Sequence, residues 1–534
     1  TTNMAGRYLD MAGAPTGFRH HPLYERAPVT NLFFVLNKSV EAQWYRAEKR
    51  EGTDDDFCLA HVYGPPGTGK SSAAWKWAHE ASGATNCPMA YVECDSQICH
   101  ILDPTRRMSQ DPIQETSLDA LEAFLFPGGT YRRVICIFDQ AFANNIDHVV
   151  GLILRLVRKG AAVTLVSSEG VTLNAGSFNV VNIVDYRFPG WTLEEFKNAC
   201  VDLGFFNSIK GRAFGEAALH NQRDQLIEDK FFLAGYSARF MFQSSDAKIK
   251  SKIDEKVATF QPTIQSVSVA LRSPKCNGAV NTLISWHDPI FQGPTPQNQT
   301  PPIRSTAFTD LASDAPTMPN SRTGYGTKNC FVSQYAAQKV IENMPARSDE
   351  LRSMGMTIKE PSVMGYGFQQ RFWELLNTHE QSGTGLNLQL TGESASQSWQ
   401  VLTVLSDDPL ETLQNVSSTG LSPGTWFWCV GSTAAYDAIV VYADGRIRFV
   451  QVTAATSRSF KIYAVDSFLR LLTDQGIEFT HVDFVVVRPN DDARAFTLET
   501  PDGSLNRYND YNGTKWVRGD NCRNQVRYAT VGWA

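Results

Sequence analysis

Nine consecutive residues in the first part of the chain have the types and spacing of a phosphate-binding loop. They are Gly64, Pro65, Pro66, Gly67, Thr68, Gly69, Lys70, Ser71 and Ser72. Glycines let such a loop curl so that backbone N–H groups point at phosphate oxygens, and the start of the following helix favours negative charge. Lys70 is spaced to reach the β- and γ-phosphates, and the Ser71 hydroxyl to bind Mg²⁺. The loop predicts a site for a nucleoside triphosphate with Mg²⁺, and ATP is the expected ligand.

An acidic residue follows a second apolar run, as a magnesium site beside such a loop requires. Residues 134–138 predict a strand, and Asp139 at its end is expected to act on the metal from a neighbouring strand. The alternative is an ordinary acid at a strand end. Gln140 comes next, where hydrolysing P-loop proteins of the AAA and STAND type, which this pattern resembles, carry Glu. Because an amide orients a water without taking its proton, we expect slow hydrolysis.

Two more residues are candidates for contact with the phosphates. Ser167 closes the apolar run 163–166, where such ATPases place a polar residue near the γ-phosphate. Arg239 lies in a helical region and is spaced to meet the phosphates from a lid. A plain turn at the strand end and a surface arginine on a helix are the respective alternatives.

Alternating strands and helices are predicted to position these groups. Apolar runs at 59–63, 89–93, 134–138 and 163–166 are separated by helical patterns, which favours an α/β fold with a parallel sheet between helices. A largely helical region follows, and its first helix is expected to begin at Thr192. We therefore predict an N-terminal lead-in, a P-loop NTPase core and a helical lid, at residues 1–55, 56–190 and 191–285.

The composition changes after the lid. Prolines recur among Gln, Asn, Ser and Thr over residues 286–327, which predicts a linker or an irregular surface loop. Residues 328–534 then predict a second α/β region, with a long polar insertion at 382–424.

A hairpin in this second region carries another possible metal site. Asp437 precedes an apolar strand, an Asp-Gly turn stands at 444–445, and Gln451 lies on the returning strand. The pattern resembles the D…(E/Q)-x-K core of the PD-(D/E)xK nuclease superfamily. That resemblance implies Mg²⁺ on Asp437 and Gln451, with the lysine position taken by Thr453 and its role moved to Lys461.

The order of features along the chain resembles a multidomain family. The phosphate loop and the Asp139 strand precede W-T-x-E-E at 191–195, G-x-S-A-R-F-M-F at 235–242, F-V-S-x-Y at 331–335 and the Asp437 hairpin. Together they resemble Crinkler effectors and the related retrotransposon-hot-spot proteins. The resemblance implies an AAA/STAND-like NTPase joined to a restriction-endonuclease-like α/β domain, and a nuclear location, in a host cell after secretion. It also implies a metal-binding acid on a preceding helix, which is Glu374, or Gln369 if the acid has been replaced.

Composition limits the classes of function. The 534 residues allow two to four domains, and a formal net charge of −6 gives no overall attraction to DNA, so a DNA contact needs a local basic surface. Ten scattered cysteines without paired C-x-x-C motifs argue against a structural zinc site and fit a reducing compartment. No run approaches the roughly 20 apolar residues of a membrane span, so no membrane partner is expected.

Two main hypotheses follow, and the oligomeric state is left open. The first is an ATPase that controls a Mg²⁺-dependent endonuclease acting on double-stranded DNA. The second is an ATP-switched protein that binds DNA, chromatin or transcription proteins through a catalytically inactive nuclease fold. An ATPase that remodels a protein partner is a third possibility.

Overall fold

A computed structural model describes most of the chain. The described residues are 8–9, 11, 23–49, 57–102, 113–127, 133–141, 146–168, 181–272, 283–286, 329–358, 361–390, 396–401, 403–405, 425–428, 436–442, 444–458, 460–474, 476–490, 496–499 and 503–532. The chain divides into two units, the first made of 1–260 with 269–336 and the second of 261–268 with 337–534. The sequence places the second region from 328 onward, whereas residues 329–336 group with the first unit.

Unit 1 is built on a seven-stranded sheet. Its strands, in chain order after a short pair β1 (Tyr8–Leu9) and β2 (Leu23–Tyr24), are β3 (Phe57–Gly64), β4 (Met89–Glu93), β5 (Ile98–Leu102), β6 (Ile113–Ser117), β7 (Val134–Ala141), β8 (Ala161–Ser168) and β9 (Val181–Arg187). The spatial order is β6-β5-β4-β7-β8-β3-β9. The strands from β4 to β9 in this order run parallel, but β5 and β6 are antiparallel additions at one edge. The four predicted strands are confirmed, while the expectation of a purely parallel sheet is wrong at that edge.

Helices cover both faces of this sheet, as predicted. They are α1 (Ala27–Lys49), α2 (Lys70–Thr85), α3 (Leu118–Leu125) and α4 (Ile146–Arg158). Helices α1 and α2 pack with alternate residues of the central strands, such as Val62 and Ile137, and α3 and α4 with the intervening ones, such as Leu59 and Cys136. Because both faces are covered, the strands are apolar on both sides, which is why they appear in the sequence as continuous apolar runs.

The region after the sheet is helical, as predicted. Its helices are α5 (Leu193–Ala199), α6 (Leu203–Ala213), α7 (Arg223–Ala234), α8 (Ala238–Gln243), α9 (Asp246–Phe260) and α10 (Ile264–Arg272), with a 3-10 turn at His220–Gln222. Thr192 caps α5: its hydroxyl accepts from the Glu195 N–H at 3.1 Å, and the Glu195 carboxylate accepts from the Thr192 N–H at 2.8 Å. This reciprocal capping box fixes where the helical region begins.

Later elements of the chain include a second, larger sheet in unit 2. They are β10 (Ile284–Trp286), β11 (Asn329–Phe331), α11 (Gln334–Glu342), α12 (Ser348–Ile358), α13 (Pro361–Ser382), β12 (Leu386–Leu390), β13 (Ser396–Trp399), β14 (Thr403–Leu405), β15 (Thr425–Trp428), β16 (Ala438–Val441), β17 (Arg446–Val452), β18 (Ser457–Arg458), α14 (Ile462–Thr473), β19 (His481–Pro489), β20 (Thr497–Leu498) and β21 (Arg527–Val531), with a 3-10 turn at Gly519–Gln525. The eight-stranded sheet has the order β13-β12-β21-β19-β17-β16-β15-β14.

The centre of this second sheet confirms the predicted hairpin. Strands β16 and β17 pair antiparallel around the turn at 444–445, with Val441 opposite Ile447. The chain then crosses through α14 to β19, which pairs parallel with β17. The described residues 510–532 are part of the folded unit, because Trp516 is buried and β21 pairs with β19.

Several predictions fall wholly or partly outside the described residues. The proline-rich segment 286–327 does so except for its first residue, as do much of the lead-in 1–55 and of the polar insertion 382–424. Within the described part of the chain, no helix is both long and apolar enough to cross a bilayer.

A candidate nucleotide site and a second polar site

The phosphate loop lies between β3 and α2, which is the strand–loop–helix arrangement of a P-loop. Gly64, Gly67 and Gly69 all have positive φ angles, of 153°, 75° and 99°. A Cβ atom at Gly64 would lie 2.2 Å from the Phe188 carbonyl oxygen, and one at Gly67 would lie 2.6 Å from the Ser237 hydroxyl oxygen. At Gly64 and Gly67 both the backbone angle and the close neighbours disfavour a side chain, and at Gly69 the backbone angle alone does so.

Lys70 is buried at the start of α2 and faces the loop. Its Nζ donates to the carbonyl oxygens of Gly64 at 2.8 Å and Pro65 at 2.7 Å. Thr68 is also buried, and its hydroxyl donates to the Pro65 carbonyl at 3.0 Å. These bonds hold a positive charge inside the curve of the loop.

Ser71 and Asp139 meet in the structure. The Ser71 hydroxyl donates to Asp139 Oδ1 at 2.8 Å, and the Tyr91 hydroxyl donates to Asp139 Oδ2. Burial raises the pKa of Asp139, while the bonds from Tyr91 and Ser71, the Gln140 N–H and the charge of Lys70 oppose that rise. The arrangement is a buried carboxylate held beside the first turn of the P-loop helix, where a divalent cation would meet both oxygen groups.

The strand that carries Asp139 is not the immediate neighbour of the P-loop strand, which corrects the sequence analysis. Strand β8 pairs with both β3 and β7 and so lies between them. Apolar runs predict strands but not their order, so this separation could not be foreseen. A bulge between Phe138 and Ala141 also leaves Gln140 with a positive φ of 57°. Asp139 is thus followed by a distorted strand end rather than by a turn.

Ser167 lies at the same edge of the sheet, in register with Tyr63 of β3 and Ala141 of β7. It has a partner that the sequence analysis missed. His61 Nε2 lies 2.8 Å from Ser167 Oγ, and His61 Nδ1 lies 3.0 Å from Asp185 Oδ1. The three side chains come from β8, β3 and β9 and form one hydrogen-bonded chain.

Arg239 lies beside the loop, at the start of α8. Its backbone N–H donates to the Gly67 carbonyl at 3.1 Å, and the Ser237 hydroxyl caps the same helix. A cavity of about 330 Å³ lies here and is lined by Pro66, Tyr236, Arg239 and Lys256, among others. The structure therefore brings the predicted lid arginine to the loop, and the cavity beside it is lined by basic and aromatic side chains together with one acid, Glu255.

Arg26 and Trp191 also hold the loop in place, although no sequence pattern singled them out. Trp191 Nε1 donates to the Thr68 carbonyl at 3.0 Å. The buried Arg26 guanidinium donates to the carbonyls of Pro189 at 2.6 Å and Gly190 at 3.0 Å, and stacks against the Trp191 ring. A segment ahead of the predicted core thus supports the back of the nucleotide site.

The second candidate site is on the hairpin of unit 2. The β16–β17 register, with Ala438 opposite Val450, places Asp437 opposite Gln451 one step further. Asp437 Oδ2 accepts from the Val452 N–H at 2.6 Å, and Oδ1 accepts from Gln369 Nε2 at 2.9 Å. Gln451 is buried at 3% exposure. The structure therefore joins Asp437 and Gln369 by a hydrogen bond and places Gln451 opposite Asp437 on the neighbouring strand.

Two residues of α13 were candidates for the helix position of the second site. Gln369 contacts Asp437, whereas Glu374 contacts Ser348. The Ser348 hydroxyl donates to Glu374 Oε2 at 2.7 Å. Five residues along a helix correspond to a turn of about 140°, so positions 369 and 374 face different directions. The sequence could not choose between them because the rotation of α13 is set by its packing.

The positive charge that acts on Asp437 comes from Arg458. Burial raises the pKa of Asp437 to about 6, against the opposing effects of Arg458 and the Val452 N–H. Arg458 Nε also donates to the hydroxyl of Thr453 at 3.3 Å. The residue at the expected lysine position therefore holds an arginine, while Lys461 immediately precedes α14. Arg458 was not considered in the sequence analysis.

The two candidate metal positions are poor in acidic ligands. Among the residues that the structure describes, no group of three or more His, Cys, Asp and Glu side chains is placed to hold a metal ion. Mg²⁺ commonly uses one or two carboxylates together with waters and substrate phosphates. Asp139 with Ser71 fits that pattern if a nucleotide supplies phosphate oxygens. Asp437 would need oxygen ligands from a bound molecule in the same way.

The raised pKa of Asp437 predicts a pH-dependent stability cost. Its folded pKa of about 6 lies above the ordinary 3.8, so the folded protein binds the proton more tightly and stability falls as pH rises between these values. Asp437→Asn is therefore expected to raise the free energy of unfolding by up to about 3 kcal/mol at pH 7.5. An asparagine can accept from Val452 N–H and donate to the Gln369 amide oxygen after that amide turns over.

Urea unfolding at pH 7.5 and at about pH 4.5 measures this effect, and the gain is expected to shrink to about 1 kcal/mol at the lower pH, where the folded protein already holds the proton. Asp444→Asn, on the exposed turn of the same hairpin, is the control and should change little at either pH. Equal stability of Asp437→Asn and the wild type at pH 7.5 would show that burial of the charged Asp437 carboxylate does not lower the free energy of unfolding.

No family model matches the chain, and no curated protein matches it either. Among solved structures it is similar to C. elegans PCH-2, with 13% identity, a TM-score of 0.28, and 48% of this chain and 68% of that chain covered.

Two more solved structures are similar. In the E. coli MS115-1 HORMA:CdnC:Trip13 complex, the matching chain is 12% identical, with a TM-score of 0.24 and coverage of 48% of this chain and 84% of that one. A structure that describes katanin self-assembly matches at 16% identity and a TM-score of 0.22, covering 47% and 75%. The Crinkler resemblance stays a prediction. What the described residues establish is a P-loop on an α/β sheet, joined in sequence to a second α/β unit.

Proposed function

We propose that unit 1 binds ATP with Mg²⁺ and hydrolyses it slowly. The observation that carries this proposal is the 2.8 Å bond between Ser71 and Asp139 beside the buried Lys70. A strand–loop–helix that offers only glycine N–H groups and a lysine could bind many kinds of anion. A buried carboxylate on the serine adds a position for a divalent cation, and the combination fits a triphosphate with its metal.

Each residue of the site has a task in this proposal. Loop N–H groups and Lys70 bind the β- and γ-phosphates, and Lys70 exchanges its two carbonyl acceptors for phosphate oxygens. Ser71 and Asp139 would hold Mg²⁺, which when bound neutralises charge on the phosphates. Arg239 is placed to approach the phosphates from α8. Gln140 orients the attacking water but cannot take its proton, which makes turnover slow.

Isothermal calorimetry of the intact chain with ATP and Mg²⁺ tests the proposal. Binding heat with one-to-one stoichiometry is expected, together with release of phosphate on a longer time scale. If no purine triphosphate produces heat in the presence of a divalent cation, the proposal is wrong.

Unit 2 supports a second candidate function, which is docking of double-stranded DNA. The observation that favours it is a carboxylate kept buried at a raised pKa, since such groups are concentrated at functional sites. The acid is single, Gln451 replaces a second carboxylate, and Arg458 bonds to Thr453 where a lysine is expected. These replacements favour binding of the DNA backbone over efficient cleavage. A nuclear location and contact with chromatin are part of the same proposal.

A plasmid-nicking assay with Mg²⁺ separates binding from cleavage. Wild type and Asp437→Ala are both expected to leave the plasmid intact, and both to retard a duplex in a gel. Asp444→Ala on the exposed hairpin turn is the matched control. Metal-dependent nicking by the wild type above Asp437→Ala would overturn the inactive assignment and establish a nuclease. Absence of any retardation would remove DNA from the proposal.

A further inference from the structure

Three side chains of unit 1, those of Ser167, His61 and Asp185, form a hydrogen-bonded series that leads away from the nucleotide site. His61 is 4% exposed and Ser167 3%, whereas the side chain of Asp185 is 49% exposed. The two distances, 2.8 Å from His61 Nε2 to Ser167 Oγ and 3.0 Å from Nδ1 to Asp185 Oδ1, are those of hydrogen bonds. The hydrogen-bonded series therefore runs from the buried Ser167 on β8 to the solvent-exposed Asp185 on β9.

The inner end of this chain lies where the phosphates are proposed to bind. Ser167 is in register with Tyr63, the residue before Gly64, and with Ala141, the residue after Gln140. It thus stands between the strand that enters the P-loop and the strand that carries Asp139. Ligands of open α/β sheets bind outside the carboxyl ends of the strands, and Ser167 is at that end of β8.

Hydrolysis of ATP at this edge needs an acceptor for a proton. As the oxygen of water bonds to the γ-phosphorus, the bond from that phosphorus to the bridging oxygen breaks and its electron pair leaves with ADP. One proton of the water must then be removed. The residue after Asp139 is Gln140, whose amide is not a base, so the acceptor lies elsewhere.

We propose that Ser167, His61 and Asp185 relay this proton to solvent, an inference that rests on the proposed ATP hydrolysis. Ser167 Oγ takes the proton of the water as its own hydroxyl proton passes to His61 Nε2. The imidazolium that forms is stabilised by the Asp185 carboxylate on Nδ1. The Ser167 hydroxyl then donates to the Ser168 carbonyl, which lies 3.0 Å away. The Nδ1 proton leaves through Asp185 to water, and His61, then neutral with its proton on Nε2, exchanges protons at both ring nitrogens to regain the Nδ1-protonated form before the next turnover.

The same three residue types form the triad of serine hydrolases, but the burial here favours the relay. A nucleophilic serine must be reached by the carbonyl carbon of a substrate, and Ser167 is only 3% exposed. Its hydroxyl also has two acceptors within reach, His61 Nε2 and the Ser168 carbonyl. A hydroxyl that changes acceptor with the protonation state of its neighbour is suited to passing a proton on.

Single-turnover ATP hydrolysis and calorimetry on the full chain test the relay. His61→Gln keeps a polar contact with Ser167 but does not carry a proton, so its rate is expected to fall at least about tenfold with unchanged ATP affinity. Asp185→Asn should show the same separation of rate from affinity, and Asp185→Glu should restore much of the rate. Tyr63→Phe is the control, because its ring still stacks on His61 at 4.9 Å between centroids.

A bypass variant gives a second readout that a structural role would not produce. In a Gln140→Glu background the new carboxylate accepts the proton of the water, so adding His61→Gln should no longer slow hydrolysis. The solvent deuterium isotope effect on hydrolysis is expected to be smaller in Gln140→Glu than in the wild type.

The outcomes separate the relay from the proposed function. No ATP binding by the wild type refutes the function and the relay together. Binding with hydrolysis that is as fast in His61→Gln as in wild type refutes the relay alone. Binding without any hydrolysis, or equal losses of affinity and rate in His61→Gln, also overturns the relay while ATP binding stands.

Discussion

Lys70→Ala is expected to weaken ATP binding at least about 100-fold. Hydrogen bonds to charged groups contribute about 1.5–3 kcal/mol each, and loss of two of them to phosphate oxygens accounts for this factor. The lysine is buried, and its Nζ is held inside the loop by the carbonyl oxygens of Gly64 and Pro65. Calorimetric titration with ATP and Mg²⁺ is the measurement.

A control on the same helix distinguishes loss of the phosphate contact from damage to the fold. Lys76→Ala removes a lysine of α2 that pairs with Glu80 at 3.3 Å, and ATP affinity should be unchanged. Thermal unfolding of both variants shows whether α2 still forms. Retained affinity in a folded Lys70→Ala protein would contradict the assignment of the loop as the nucleotide site.

Asp139→Asn is expected to reduce ATP hydrolysis at least about 100-fold. A metal that stabilises transition-state charge contributes several kcal/mol, and each 1.4 kcal/mol is about a factor of ten in rate. The asparagine has the same size and can still accept from Ser71. Because burial raises the pKa of Asp139, the neutral replacement relieves a cost and the variant should be at least as stable as the wild type. Loss of activity then reflects the charge.

The metal dependence of binding identifies the role of Asp139. Wild type should bind ATP more tightly with Mg²⁺ than with a chelator present, and the variant should lose that difference while keeping its affinity in chelator. Asp95→Asn, on the exposed turn after β4, is the control. Unchanged hydrolysis and unchanged metal dependence in Asp139→Asn would show that Asp139 is an ordinary acid at a strand end and does not act on the metal.

The partners of the predicted site residues illustrate what a sequence leaves out. Tyr91 bonds to Asp139 across 48 residues of chain, and His61 bonds to Asp185 across 124. Neither contact follows from an apolar run, because a run predicts a strand without its neighbours. A buried histidine inside an otherwise apolar strand was a usable signal for His61. Tyr91 had no such signal, since tyrosine is common in strands.

In the hairpin of β16 and β17, too, the sequence predicts some features while the packing of helices and strands decides others. An Asp-Gly turn between apolar strands predicts the pairing and the position of Asp437 opposite Gln451, because a short turn fixes the register. The choice of Gln369 over Glu374 depended on the rotation of α13, and the contact of Arg458 with Thr453 depended on the path of the chain after β17. Packing of whole elements decides both.

The sequence by itself determined the P-loop, the strands and helices that flank it, and the start of the helical region at Thr192. These features depend on residues within a few positions of one another, so glycine angles, helix capping and apolar periodicity specify them locally. The tertiary structure alone decided that β8 separates Asp139 from the P-loop strand, that β5 and β6 run antiparallel, and that His61 links Ser167 to Asp185. Strand order results from burying all the apolar faces at once, which is a property of the whole chain rather than of any segment.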